Sequence, residues 1–213
     1  MLCYIYICSC SYTYICIYYI IIPQHIQLYI YSGFEKQPID NLSDPTSELG
    51  TCNMLELTAF QSTPTRSADI VATSIEELGG MVQCIANKEN LMYCVDVLKE
   101  NFSEAIEIVS DSIVNADLTD DEIDGGKTMM QIMQTELPSD FLSRDAVPRA
   151  AYGSGVYSKS GCNIGNYYAP PSEECIANIT SEKVRNFKNN QFYGENIVIS
   201  AVGVEHEYFV DLV

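Results

Sequence analysis

The sequence has no tryptophan, two histidines (His25 and His206), and no Asp, Glu, Lys or Arg before Glu35. Isolated imidazoles exclude a histidine-built metal centre, which needs at least a pair within helical reach. Bases are scarce as well: 11 Lys and Arg stand against 29 Asp and Glu, a formal charge of −18. That balance argues against nucleic acid or an anionic membrane surface as partner and suits basic ligands. A solvated acidic surface that keeps the chain soluble is the plainer consequence. Also missing is any Cys-x-x-Cys pair among Cys52, Cys84, Cys94, Cys162 and Cys175. There is then neither a zinc knuckle nor a disulfide framework, and buried free thiols of a reducing compartment are expected.

At 213 residues, 47% of them hydrophobic, the chain can bury one large core. Its apolar residues are unevenly spread. Met1 to Ser32 carries no charge, is more than half Tyr and Ile, and holds Cys3, Cys8, Cys10 and Cys16. A run this apolar could cross a bilayer. Its tyrosines, its β-branched residues and its lack of flanking bases depart from ordinary spans, and without arginine it is no transit peptide. Residues 1–32 therefore read as an aberrant segment, a gene-model artefact or a membrane span, with membrane contact only if the segment is real. Residues 33–213 read as the folded domain, entered through a polar loop, Gly33 to Leu49, with Pro38, Asp40, Asn41, Asp44 and Pro45.

The stretch Gly50 to Phe60 reads as a helix with Met54, Leu55, Thr58 and Phe60 spread around it. Such a helix belongs in a core, where the carboxylate of Glu56 stands out. The order of residue types is that of the inverted zinc motif His-x-x-Glu-His, in which two histidines one turn apart bind the metal and the glutamate activates its water. Here the positions read Asn53-x-x-Glu56-Leu57. The carboxylate is kept and both imidazoles are gone.

Further runs accompany it: Leu55-Glu56-Leu57-Thr58-Ala59-Phe60-Gln61-Ser62-Thr63, Leu78-Gly79-Gly80, Lys88-Glu89-Asn90-Leu91-Met92-Tyr93, Leu118-Thr119-Asp120-Asp121-Glu122, Ala150-Ala151-Tyr152 and Val202-Gly203-Val204-Glu205-His206-Glu207. In that order and spacing the chain resembles the pitrilysin-type metallopeptidase family, and within it the N-terminal half of the non-catalytic alpha subunits of mitochondrial processing peptidases. In catalytic members the third zinc ligand is a glutamate on a later helix. The resemblance puts that position on Met133, beside Gln131, Gln134 and Glu136, and a thioether is a poor zinc ligand. It thus implies no catalytic residue and no metal here, only eroded positions at Asn53, Glu56, Leu57 and Met133.

The remaining chain reads in order as follows. A helix from Ala68 to Leu78 is capped by Ser67 and stopped by Gly79, with Val71, Ser74, Ile75 and Leu78 inward. Met81 to Asn87 and Leu91 to Leu98 form an antiparallel hairpin, with Leu91, Tyr93, Val95 and Val97 on one face. The resemblance implies that substrate adds to the first of these strands in extended form, which makes Gln83, Cys84, Ile85, Ala86 and Asn87 candidate substrate-binding residues; a plain structural edge is the simpler alternative. Ser103 to Asn115 is amphipathic through Ile106, Val109, Ser110, Ile113 and Val114. Thr119 to Glu122 is a capping box opening a helix with Ile123, Met130, Met133 and Leu137 inward, and Gly125-Gly126 should loosen that helix. Helix continues over Asp140 to Tyr152 with a break near Pro148, and Gly153 to Pro171 is a long loop. Short helices follow over Ser172 to Ile179 and Ser181 to Asn189. Asn196 to Val204 reads as a central strand buried on both faces, and Glu205 to Val213 as a last helix needing cover for Phe209 and Leu212.

The fold expected is α+β: one pitrilysin-family half-domain, a mixed, mostly antiparallel sheet with helices packed on one face. The helical end at Val213 suggests truncation before a second half and its glycine-rich loop. By the resemblance, the chain is a presequence-recognition and scaffold subunit without activity of its own. It would pair in the mitochondrial matrix with a zinc-bearing catalytic beta subunit, and would hold no cofactor itself. The alternatives are a structural core subunit of the respiratory cytochrome complex, built on the same fold, and a non-functional fragment.

Overall fold

The computed structural model describes residues 25–33, 50–87, 90–152, 173–194 and 197–213. The four strands described are β1 (His25–Gly33), β2 (Met81–Ala86), β3 (Asn90–Leu98) and β4 (Ile197–Val202). They form one sheet in the order β2-β3-β1-β4, with every pairing antiparallel. The long apolar strand β1 belongs to the interior of this sheet. It begins inside the segment 1–32 and crosses the boundary drawn at residue 33, supplying the leading strand that the Tyr/Ile bias hides in the sequence.

Burial alternates along the strands with period two. Ile26, Leu28, Ile30 and Ser32 of β1 and Leu91, Tyr93, Val95 and Val97 of β3 are buried, while His25, Gln27, Tyr29 and Tyr31, and Met92, Cys94 and Asp96, lie on the more open face. The helices are α1 (Thr51–Leu57), α2 (Ala68–Glu77), α3 (Phe102–Val114, entered through a 3-10 turn at Lys99–Asn101), α4 (Asp120–Glu136), α5 (Ser139–Tyr152), α6 (Glu173–Ala177), α7 (Ser181–Gln191) and α8 (His206–Leu212). Those other than α5 bury residues against the first of these sheet faces. The expected α+β class with helices on one face is what the chain forms.

Several local expectations change. β4 is not central: among the described residues it is the outer strand beside β1, and Ile197, Val198 and Ile199 are only half-buried. The interior place falls to β1 instead. At the exit of β4, Gly203 has φ +97°, and a Cβ there would lie 2.7 Å from the His25 carbonyl oxygen, so only glycine passes so close to β1. In α3 the buried set is Phe102, Ala105, Ile108, Val109, Ser112 and Ile113, whereas Ser110 and Val114 face solvent. Phe102 sets this phase: it opens the helix one residue before the expected start and is buried against Phe209 of α8, ring centroids 6.4 Å apart. α5 runs through Pro148 without a break, and α4 is continuous through both glycines. The Gly153 to Pro171 loop falls outside the described residues.

The capping box expected at Thr119 forms, whereas Ser67 stands at the N-cap of α2 without a side-chain capping hydrogen bond. Thr119 Oγ1 accepts from the Glu122 N–H at 3.3 Å and Glu122 Oε2 accepts from the Thr119 N–H at 2.8 Å. Glu122 does more, because its Oε1 also accepts from the N–H and hydroxyl of Ser62, tying the loop after α1 to the start of α4. Burial raises the Glu122 pKa, but these hydrogen bonds from Ser62 and Thr119 outweigh it and hold the group below its ordinary value.

Candidate functional site

α1 places its side chains by helical geometry. Residues 52 and 56 are one turn apart, as are 53 and 56 to within a residue, so Cys52, Asn53 and Glu56 share a side. That side meets the first strand of the hairpin. The β2–β3 register sets Cys84 opposite Tyr93 and Ala86 opposite Leu91. Glu56, Asn53, Cys52, Cys84, Ala86 and Tyr93 thereby come together beneath the sheet edge. Tyr93 is 5% exposed and is packed edge-on by Phe60 and by Phe192, ring centroids 5.7 and 6.2 Å away.

The site is poorly solvated, and the ionisable groups respond to that. Burial raises the pKa of Glu56, while hydrogen bonding from the Ala86 backbone and the Asn53 side chain offsets part of the rise. Burial and the nearby Glu56 carboxylate push the Cys52 thiol up to about 12 and the Cys84 thiol well above its usual range. Burial likewise carries the Tyr93 phenol well above its ordinary value, helped by Cys84 and Cys52. Both cysteines are free and stay protonated at neutral pH, so neither is a nucleophile or a metal-binding thiolate as placed.

Of the eroded positions, Asn53 is buried and Leu57 is half-buried against the core. Met133 is half-buried on α4, two turns beyond Gly126. An amide, an isobutyl group and a thioether are not the nitrogen, thiolate or carboxylate donors that a catalytic zinc takes, so these residues do not fit the ion. Among the described residues no group of three His, Cys, Asp or Glu side chains is placed to hold a metal.

Of the candidate substrate-binding residues, Cys84 and Ala86 lie on the Glu56 side, Gln83 and Asn87 are exposed, and Ile85 is half-buried. The Asn87 N–H donates to the Asn90 carbonyl at 2.8 Å, which fixes the alternation of the ladder. Asn87, Ile85, Gln83 and Met81 turn their backbone groups to β3, and Ala86, Cys84 and Val82 turn theirs to the outer edge. Among the described residues no strand pairs with that edge. Cys52 and Tyr93 were not singled out from the sequence, although the spacing of Cys52 from Glu56 and the register of the hairpin carry the signal for both.

A family model described as insulinase (peptidase family M16) matches residues 41–160. The chain belongs to peptidase family M16. It is similar to mitochondrial-processing peptidase subunit alpha of Neurospora crassa, 27% identical over 76% of this chain and 27% of that protein. It is similar too to the probable subunit alpha-2 of Arabidopsis thaliana, a chloroplastic/mitochondrial protein, 31% identical over 77% of this chain and 32% of that protein. Mitochondrial-processing peptidase subunit beta of Dictyostelium discoideum is 30% identical over 77% of this chain and 34% of that protein. The chain spans about a third of the length of these relatives.

Proposed function

We propose that the chain is a non-catalytic, presequence-binding and scaffold component of a mitochondrial processing peptidase of the matrix. The observation that carries this reading is the α1 motif, which reads Asn53-x-x-Glu56-Leu57 with no imidazole at either histidine position, while its glutamate and the open edge of β2 among the described residues remain; the resemblance puts the third donor on Met133. A chain of this kind holds no zinc and cleaves nothing alone. It supports cleavage in a partner, a beta-type subunit with an intact His-x-x-Glu-His, to which the zinc belongs. The charge of −18 suits a basic presequence, and β2 supplies backbone groups for an extended one. The similarity to alpha subunits of processing peptidases supports the same assignment.

The test is recovery of the endogenous protein from mitochondria with its partners, followed by metal analysis and a peptide-cleavage assay on the separated chains. Co-recovery of a subunit with the intact motif, and zinc and activity only when that subunit is present, are the expected results. Stoichiometric zinc and cleavage by the isolated chain would overturn the reading.

A further inference from the structure

The outer edge of β2 begins at a fixed residue. Gly80 has the same orientation in the ladder as Val82, but its N–H is taken by the Ile75 carbonyl at the end of α2, 2.9 Å away. The Asn87 N–H, which donates to the Asn90 carbonyl at 2.8 Å, sets the phase from the other end. Val82 and Cys84, like Ala86 beyond them, therefore turn their backbone groups outward, and among the described residues no strand pairs with them.

The two sides of this edge differ. Val82 and Cys84 point their side chains inward, where both are half-buried and pack on the core, as do Phe60 and Phe192. Cys84 stands opposite Tyr93, and both phenyl rings meet Tyr93 edge-on, with centroids 5.7 and 6.2 Å away. Met81, Gln83 and Ile85 point to the other side, where Met81 is 70% exposed and Gln83 is exposed as well. Opposite Met81 is Asp96, the one carboxylate of the four described strands, 3.0 Å from His25 Nδ1 and accepting from Gln27 Nε2 at 3.2 Å. We propose that the edge sorts an incoming extended peptide by the alternation of its side chains: residues paired with Val82 and Cys84 are apolar, and those paired with Met81, Gln83 and Ile85 carry the positive charge.

This rests on the reading of β2 as a docking edge for basic peptides and adds what such a peptide must look like. In an added strand each residue points to the same side as the residue it faces, with Cβ atoms about 4.5–5.5 Å apart. A guanidinium beside Val82 and Cys84 would exchange water for apolar neighbours, which is costly. Beside Gln83 it stays hydrated, on the side that carries Asp96. The selected sequence thus has period two. A peptide with the helical period of about 3.6 residues cannot keep its bases on one side of a strand.

Two synthetic peptides of equal arginine and leucine content, one alternating and one with its leucines at helical spacing, test this on the full chain. Fluorescence anisotropy gives the affinity, and residue-resolved amide hydrogen exchange gives the place. The alternating peptide should bind about tenfold more tightly, the worth of two apolar cross-strand pairs, and should slow exchange at Val82 and Cys84. Gln83→Glu should tighten its binding and Gln83→Lys weaken it, each by about threefold. Glu56→Gln should leave it unchanged, because no base turns inward. Equal affinities with both peptides slowing Val82 and Cys84, or a loss of about tenfold in Glu56→Gln, overturn the sorting and leave the docking edge in place. No slowing of Val82 and Cys84 by either peptide removes the docking edge itself, and the sorting with it.

Discussion

Gly126 of α4 lies against Met54 of α1, so closely that a Cβ at Gly126 would collide with the Met54 Sδ. Met54 is wholly buried, and its thioether has little room to retreat. Gly125, one residue earlier, has nothing within 4 Å of its ideal Cβ position. The two glycines therefore differ in kind. Gly125→Ala should stabilise the fold by up to about 1 kcal/mol, the helix-propensity gain alone. In Gly126→Ala the same gain is opposed by an overpacking penalty of about 1–3 kcal/mol, and the net should be neutral to destabilising. Urea melts of both variants decide it, and a Gly126→Ala chain as stable as Gly125→Ala would refute the close contact.

This pair also shows what the sequence could and could not reveal. The capping box, the hairpin and the α+β class follow from local rules, and each formed where the residues put it. What Gly126 is for depends on α1, some seventy residues earlier, and no local pattern reports that contact. β1 escaped notice because it directly follows a Tyr- and Ile-rich run and was read together with it, although Ile26, Leu28 and Ile30 alternate inward against His25, Gln27 and Tyr29. The face of α3 was misjudged because its phase is set by Phe102, whose partner Phe209 is on the last helix. In the site, the departure of Asn53 and Leu57 from the His-x-x-Glu-His pattern is a matter of residue types alone. The company of Glu56 is not, since Ala86 and Cys84 reach it only through the fold.

Asp111 should make stability fall in acid. Its Oδ1 accepts from Asn115 Nδ2 at 2.8 Å, and its Oδ2 from Thr63 Oγ1, Thr65 Oγ1 and Arg66 Nη1 at 3.0, 2.8 and 2.7 Å. The Asn115 hydrogen bond and then, against the opposing effect of burial, those from Thr65, Thr63 and Arg66 lower its pKa from 3.8 to about 2. The unfolded chain binds the proton more readily, so the stabilisation is complete above pH 3.8 and is lost as pH falls towards 2. Asp111→Asn should cost about 1–3 kcal/mol at neutral pH, with the difference narrowing over that window. Parallel melting curves at all pH values would show that the carboxylate does not anchor this loop to α3.

Lys188 holds the end of α3 from α7. Its Nζ donates to the Val114 carbonyl at 2.7 Å, and only 8% of the residue is exposed. Beside it Arg185 donates to the carbonyls of Asp117 and Leu118. Burial lowers the Lys188 pKa, but the ammonium satisfies a carbonyl at a helix C-terminus, where positive charge is favoured. Lys188→Met keeps the aliphatic stem and leaves that carbonyl without its donor, at a cost of about 1–3 kcal/mol. Thermal melts of Lys188→Met beside Lys99→Met, which alters an exposed lysine elsewhere in the fold, separate this from a general charge effect.

Glu56→Gln should leave the fold intact and the partner's chemistry almost unchanged. In the folded chain burial raises the Glu56 pKa above its ordinary 4.5. The unfolded chain loses the proton at the lower pH, so stability declines as pH rises from about 4.5 through the raised value and is level beyond it. Glutamine has no proton to lose and keeps an acceptor for the Ala86 N–H, so the variant should lack that decline and be at least as stable at neutral pH, by no more than about 1 kcal/mol. Cleavage by a complex containing it should stay within about twofold, because an amide of the same shape keeps α1 packed against β2. If cleavage dropped by about tenfold with the melt unchanged, Glu56 would have a chemical role that an amide cannot fill, and the assignment of this chain as non-catalytic would fall with it.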